Sequence, residues 1–219
     1  MKITVFLADD HAVVRDGLRM LLDAQPDLEV IGTAADGRDA VHQITRRCPD
    51  VVILDITMPE LNGLDAARQI IEICPAIQVI MLSMHGTGEH VYEAMQLGAR
   101  GYLLKASAGA NVADAVRTVY SGRRYLSQEV MDQMIDYSLQ RRDVQDDGKP
   151  DPLGRLTNRE REVLQLVVEG KSSAEIAQSL HLSPKTVETY RSTMMKKLEI
   201  DNLPSLVKFA IKYGLTPLE

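Results

Sequence analysis

The chain is poor in several features that would assign it to a special class. No apolar run approaches the roughly 18 residues a membrane-spanning helix requires. The amino terminus enters a strand pattern directly, without the charged start, apolar core and cleavage site of a secretory leader. A cytoplasmic protein with no membrane partner is expected. Cysteine is scarce: Cys48 and Cys74 are the only two in 219 residues, and they lack Cys-x-x-Cys spacing. Reduced thiols are therefore expected rather than a disulfide framework or a metal site. No internal repeat or low-complexity tract is evident. Strong net charge is missing as well, since the total is −6, but the sum conceals an asymmetry. Residues 1–151 hold 15 Lys and Arg against 23 Asp and Glu, whereas residues 152–219 hold 10 against 8. An acidic front and a faintly basic tail imply two modules, the second more tolerant of a polyanion.

What is present begins with Val51-Val52-Ile53-Leu54-Asp55, an apolar run ending in a carboxylate and followed by Ile56-Thr57-Met58-Pro59. Such a run reads as a strand buried on both faces of a parallel sheet. Ligands of these sheets bind at the carboxyl ends of the strands. Ile3–Ala8 is a second such strand, ending in Asp9-Asp10; Leu28–Ala34, Val79–Leu82 and Tyr102–Leu104 complete five. Helical patterns alternate with them at 13–24, 37–46, 64–73, 90–96 and 111–120. The first helix carries Val14, Leu18, Leu21 and Leu22 at helical spacing. Five βα units predict an α/β, doubly wound, five-stranded parallel sheet with right-handed crossovers. A further helix is expected over 127–142, packing through Val130, Met131, Met134, Ile135 and Leu139. The polar stretch 143–152, with one Gly and two Pro, reads as a flexible linker.

The remaining residues predict four helices. Thr157 and Glu160 have capping-box spacing, and Gly170 stops the first helix. Ser173–Leu180 is short, His181-Leu182 forms a turn, and Ser183-Pro184 caps a helix reaching about Leu198. The fourth follows Asn202. Short helix, turn and longer helix make a helix-turn-helix. On the third helix, Val187, Tyr190, Met194 and Leu198 form an inner stripe. Lys185, Thr189, Ser192 and Lys196 lie opposite, two cations and two hydroxyls suited to phosphates and base edges.

Asp9, Asp10, Asp55, Ser83 and Lys105 gather at the predicted strand ends. Clustered carboxylates repel one another and call for a hard divalent cation with oxygen ligands. One carboxylate beside that metal can act as a nucleophile and form an aspartyl phosphate. Lys105 and Ser83 supply charge and a hydrogen bond for the phosphoryl oxygens. A phosphatase of the haloacid dehalogenase type would also use a strand-end aspartate, but needs a second Asp two residues later, where Thr57 stands. Enzymatic turnover is not expected.

Asp9-Asp10, Asp55 with Pro59, Ser83 and Lys105 resemble the receiver domain of bacterial two-component response regulators, whose sheet is of the flavodoxin-like kind, over residues 1–121. The resemblance implies that Asp55 is the phosphoacceptor, charged by a sensor histidine kinase. It implies Mg²⁺ bound by Asp10, Asp55 and the backbone carbonyl of Thr57, with Asp9 assisting, and Tyr102 as a switch aromatic beside Ser83 and Lys105. The sequence departs from many receivers at Ala106, where proline is usual, and at Met84, which would narrow access to the phosphoryl group.

Leu156–Leu164, Glu175-Ile176-Ala177 and Ser183–Val187 look like the LuxR-type DNA-binding domain, placed over 152–219 behind a helix and linker at 122–151. The whole chain thus resembles the NarL/FixJ class of response regulators. That implies phosphorylation-controlled dimerisation and binding to paired promoter half-sites through Lys185, Thr186, Glu188, Thr189, Arg191, Ser192 and Lys196. Glu188 departs from members with a basic residue there: it cannot pair with phosphate, but can accept from a cytosine amino group. His181 stands where glycine is common in the turn; histidine tolerates positive φ better than most residues do. The alternative is an atypical receiver that works through phosphorylation-independent contacts.

Overall fold

A computed structural model describes residues 2–84, 86–143, 152–213 and 215. They form two compact units. The first holds a parallel sheet of order β2-β1-β3-β4-β5-β6. Its strands are β1 (Ile3–Ala8), β2 (Leu28–Ala34), β3 (Val51–Asp55), β4 (Gln78–Ser83), β5 (Gly101–Leu104) and β6 (Tyr125–Leu126). Five strands are those expected. The sixth is only two residues long, too short to leave a periodic pattern. It forms because the chain turns at Gly122, at φ 81°, and the Tyr125 amide donates to the Arg100 carbonyl at 2.9 Å.

Side chains of β3 alternate between two apolar layers, which is why the whole run is hydrophobic. Val52 and Leu54 join a core closed by α2 (Gly37–Arg46), α3 (Gly63–Ile73), α4 (Gly88–Leu97) and α6 (Gln128–Asp143). Val51 and Ile53 join the opposite core, closed by α1 (Ala12–Asp23) and α5 (Lys105–Tyr120). The last helix starts six residues before the expected Asn111, because the Ala- and Ser-rich stretch after Lys105 continues the helix. Lys105 is thus the first residue of α5 rather than a strand terminus.

Of the apolar residues at helical spacing on α1, Leu18 and Leu22 are seated in the core, whereas Leu21 is 43% exposed. Among the described side chains of α6 only Val130 is fully buried; Met131, Ile135 and Leu139 of the expected packing face lie at the surface. The helix rests on α4, where the Tyr92 and Tyr137 ring centroids are 5.8 Å apart. Gly88 permits that approach, since a Cβ there would overlap the Gln133 carbonyl. His85 and the expected linker residues 144–151 lie outside the described residues.

The expectation of free thiols is overturned, for Cys48 and Cys74 form a disulfide. Cys48 follows α2 and Cys74 caps α3. Parallel pairing of Val51 with Gln78 starts β3 and β4 side by side and so brings the preceding loops together. Sequence spacing carries no trace of that adjacency.

The second unit begins with a 3₁₀ turn at Pro152–Arg155, followed by α7 (Asn158–Val168), α8 (Ser173–Leu180), α9 (Pro184–Leu198) and α10 (Leu203–Lys212). Thr157/Glu160 and Ser172/Glu175 both close capping boxes, satisfying orphan amides at the starts of α7 and α8. Val163, Leu164, Ile176, Val187, Met194, Leu206 and Ala210 form the shared core.

Reduction of the disulfide should lower the unfolding free energy by roughly 2–4 kcal/mol, the usual effect of opening a loop of this size. Denaturant melts with and without reductant measure this. Cys74→Ser should show the lowered midpoint at once and no further response to reductant.

Candidate functional site

The acidic pocket follows from the strand register. Asp55 is the last residue of β3 and pairs with Leu82, while the next residue of β4, Ser83, pairs with Leu104 immediately before Lys105. Asp9 directly follows β1, which lies beside β3. Four chain segments therefore deliver their polar residues to one rim. Asp9 and Asp55 are almost wholly buried, and Asp10 is partly exposed.

Lys105 joins the group. Its ammonium donates to Asp55 Oδ2 at 2.8 Å and lies 2.9 Å from Asp9 Oδ2. The second contact is an ion pair that lacks hydrogen-bond alignment, leaving the buried Asp9 Oδ2 without a hydrogen-bond partner. Burial opposes the charge on Lys105, yet the adjacent carboxylates outweigh it and raise its pKa. Burial pushes Asp55 up to about 7; Lys105 works against the shift, and the charges of Asp9 and Asp10 add to it. The Tyr102 hydroxyl shares a hydrogen bond with Ser83, and burial pushes its pKa up to about 12. Tyr102 and Ser83 are therefore tied to each other at the rim. The expectation for Thr57 concerned its carbonyl; the structure brings its amide to Asp55 Oδ1, at 3.4 Å. Met84 is 65% exposed.

Sequence reasoning missed three contributors. His11 places Nδ1 2.6 Å from Asp10 Oδ1, and its amide donates to Asp9 Oδ1 at 2.8 Å. Its position directly after Asp9-Asp10 was the available signal. Arg15 donates to the Asp9 carbonyl at 2.7 Å from one turn into α1. Gly63 opens α3 against the backbone of Asp55, where a Cβ would overlap the Asp55 carbonyl oxygen. Nothing local in the sequence marks that contact.

Ligand atoms of Asp9, Asp10, His11 and Asp55 all lie within 4.8 Å of one another. Hard carboxylate oxygens, one of them buried without a hydrogen bond, fit a small divalent cation.

In the helical unit, Lys185, Thr189, Ser192 and Lys196 are exposed on α9, while Val187 and Met194 are buried and Tyr190 and Leu198 are partly buried. Ser183, Lys185, Thr186, Thr189 and Tyr190 line a shallow depression on that face. His181 takes the left-handed conformation expected of it, at φ 53°. Four side chains of the expected contact set have partners within the unit: Glu188 accepts from the Ser173 hydroxyl, and Thr189 donates its hydroxyl to the Lys185 carbonyl at 3.0 Å. Thr186 bonds the Ser183 hydroxyl at 2.8 Å, and Arg191 donates to Ser173 Oγ at 3.0 Å.

A doubly wound sheet with this carboxylate and lysine rim, carried with a helix-turn-helix on one chain, defines a class: the chain is a two-component response regulator. Residues 5–117 match the response regulator receiver domain, and residues 154–210 match the luxR family of bacterial regulatory proteins; the chain belongs to the family that joins the two. It is 38% identical over 216 residues to the oxygen regulatory protein NreC of Staphylococcus haemolyticus, spanning 98% of this chain and 99% of that one. Among solved structures it resembles the RcsB response regulator of Salmonella typhimurium, with a TM-score of 0.62, 25% identity and 99% of each chain covered. It also resembles RcsB in a complex with DNA, with a TM-score of 0.58, 25% identity, and 95% of this chain and 98% of that one covered. The protein is thus a regulator of transcription with a receiver and a LuxR-type DNA-binding domain.

Because the Asp55 pKa rises from 3.8 to about 7 on folding, the folded protein holds a proton that the unfolded chain releases between those values. Stability should therefore fall as pH rises through that window in metal-free buffer. Asp55→Asn should remove this slope and raise the neutral-pH melting temperature by several degrees. Calorimetry from pH 4.5 to 7.5 with a chelator tests both.

Proposed function

We propose that Asp55 is the phosphoacceptor of a histidine-kinase relay, and that its phosphorylation controls dimerisation and binding of paired promoter half-sites. The carrying observation is the Lys105 ammonium lying between Asp55 and the buried Asp9 at the carboxyl edge of the sheet. In the transfer, an Asp55 carboxylate oxygen bonds to phosphorus while the phosphorus–nitrogen bond of a phosphohistidine breaks. The electron pair of that bond returns to the imidazole. Lys105 then pairs with a phosphoryl oxygen, and Ser83 donates to another, drawing on its bond with Tyr102. Asp10, Asp55 and the Thr57 carbonyl, with Asp9 behind them, would hold Mg²⁺, whose contribution there is to neutralise phosphoryl oxygens. Deprotonating Asp55 is the step both nucleophile and metal ligand require, so metal binding should strengthen as pH rises through about 7.

The added charge alters the Ser83–Tyr102–Lys105 rim and so biases the receiver between two states. The DNA-facing set is Lys185, Thr186, Glu188, Thr189, Arg191, Ser192 and Lys196. Lys185 and Lys196 are exposed cations for phosphates, and the hydroxyls of Thr189 and Ser192 lie between them. No helix among the described residues is long and apolar enough to cross a membrane, and a cytoplasmic site of action suits a promoter-binding regulator. Enzymatic turnover of a small-molecule substrate is not part of this reading.

Incubation with acetyl phosphate and Mg²⁺ should add one phosphoryl group to the wild type and none to Asp55→Ala, read by intact mass. The adduct should be accompanied by dimer formation in light scattering and tighter promoter binding. A folded wild-type protein that gains no adduct, yet regulates normally, would instead establish signalling without phosphorylation. Lys105→Ala should still accept phosphoryl but lose at least about tenfold of the DNA-binding response, as expected if a charge-assisted contact worth roughly 1.5–3 kcal/mol transmits the signal.

A further inference from the structure

We propose that Glu188 selects a cytosine in each half-site and that Ser173 is its positioning residue. This inference rests on the DNA-binding reading above and deepens it. An exposed carboxylate on the outer side of α9 is out of place if that surface only meets phosphates, which would repel it. Its local bonding gives it a different task. Ser173, the first residue of α8, donates its hydroxyl hydrogen to Glu188 Oε1. The same hydroxyl oxygen accepts from Arg191 at 3.0 Å. With a guanidinium N–H directed at its lone pair, the serine proton is left to point at the glutamate. The carboxylate is thereby held from a second helix rather than swinging in solvent. Among the described residues, Oε2 of Glu188 makes no hydrogen bond and remains as an acceptor.

The major groove offers few partners for an acceptor-only group. Cytosine presents its N4 amino hydrogen; guanine presents O6 and N7, and thymine presents O4, all of which repel a carboxylate. Adenine has an amino donor, but its adjacent N7 faces the carboxylate's other oxygen. Cytosine is the base that satisfies the group without a repulsive neighbour. Rejection of the other bases is as much a part of the selection as attraction to this one. Lys185 lies one turn before Glu188 and Ser192 one turn after, so the carboxylate sits beside groups able to anchor the backbone while it reads a base.

The test is selection of full-length protein, treated with acetyl phosphate and Mg²⁺, against random duplex DNA. Wild type should enrich half-sites with one fixed cytosine. Replacing that base pair, or substituting N4-methylcytosine on the same strand, should each weaken binding about tenfold, as for one lost base contact. Glu188→Gln should move the preference at that position towards adenine while leaving the other positions unchanged. Ser173→Ala should flatten the preference there, and Ser173→Thr should restore it, which a merely structural role for Ser173 would not produce. A motif enriched with undiminished preference in Glu188→Gln, or binding indifferent to N4-methylcytosine, overturns the assignment while DNA binding stands. No enriched motif with any variant, although the protein is folded and phosphorylated, overturns the DNA-binding reading and the assignment together. The N4-methylcytosine arm uses wild-type protein, so it decides the question even if a variant misfolds.

Discussion

The ammonium of Lys105 compensates an arrangement that would otherwise oppose folding. Three carboxylates converge on the carboxyl edge of the sheet, two of them buried, and an unneutralised carboxylate in such a setting costs several kcal/mol. One cation placed within 3 Å of both Asp9 and Asp55 makes the cluster tolerable without removing its strain. Burial still pushes the Asp55 pKa up to about 7. The site is less stable than an apolar rim would be, which leaves it responsive to any change in its charge.

The surrounding fold exists to hold that geometry. Parallel register brings Asp55, Ser83 and the start of α5 to one level. Gly63 lets α3 press against the Asp55 backbone, and Arg15 reaches back from α1 to the Asp9 carbonyl. Tyr102, wholly buried and bonded with Ser83, shares its apolar layer with Val130 of α6. Helix α6 is thus built into the same core as Tyr102.

The helical unit divides its cations between scaffold and surface. Lys197 donates to Glu160 at 2.7 Å, inside the capping box of α7, and Arg191 is engaged by Ser173. Lys185 and Lys196 remain at the surface. A weakly basic module can therefore present a local cationic face, because several of its carboxylates are engaged elsewhere: Glu160 and Glu175 close capping boxes and Glu162 pairs with Arg159. Glu188, bonded by the Ser173 hydroxyl, is an exposed carboxylate beside that face.

The sequence alone determined which polar groups end the strands and where the helices are capped. Apolar runs ending in Asp9-Asp10, Asp55 and Ser83 are local patterns, set by a period of two and by strand burial. So are the Thr157 and Ser183 caps and the inner stripe of α9, which depend on residues three and four apart. What only the tertiary structure decided are the contacts between residues distant along the chain. These are the Cys48–Cys74 bridge, the entry of His11 into the carboxylate cluster, the fit of Gly63 beneath Asp55, the exposure of Leu21 and Ile135, and the Ser173–Glu188 bond. Side-chain periodicity says which face of an element is apolar. It does not say which neighbour will cover that face, because this depends on register and helix placement summed over the whole domain.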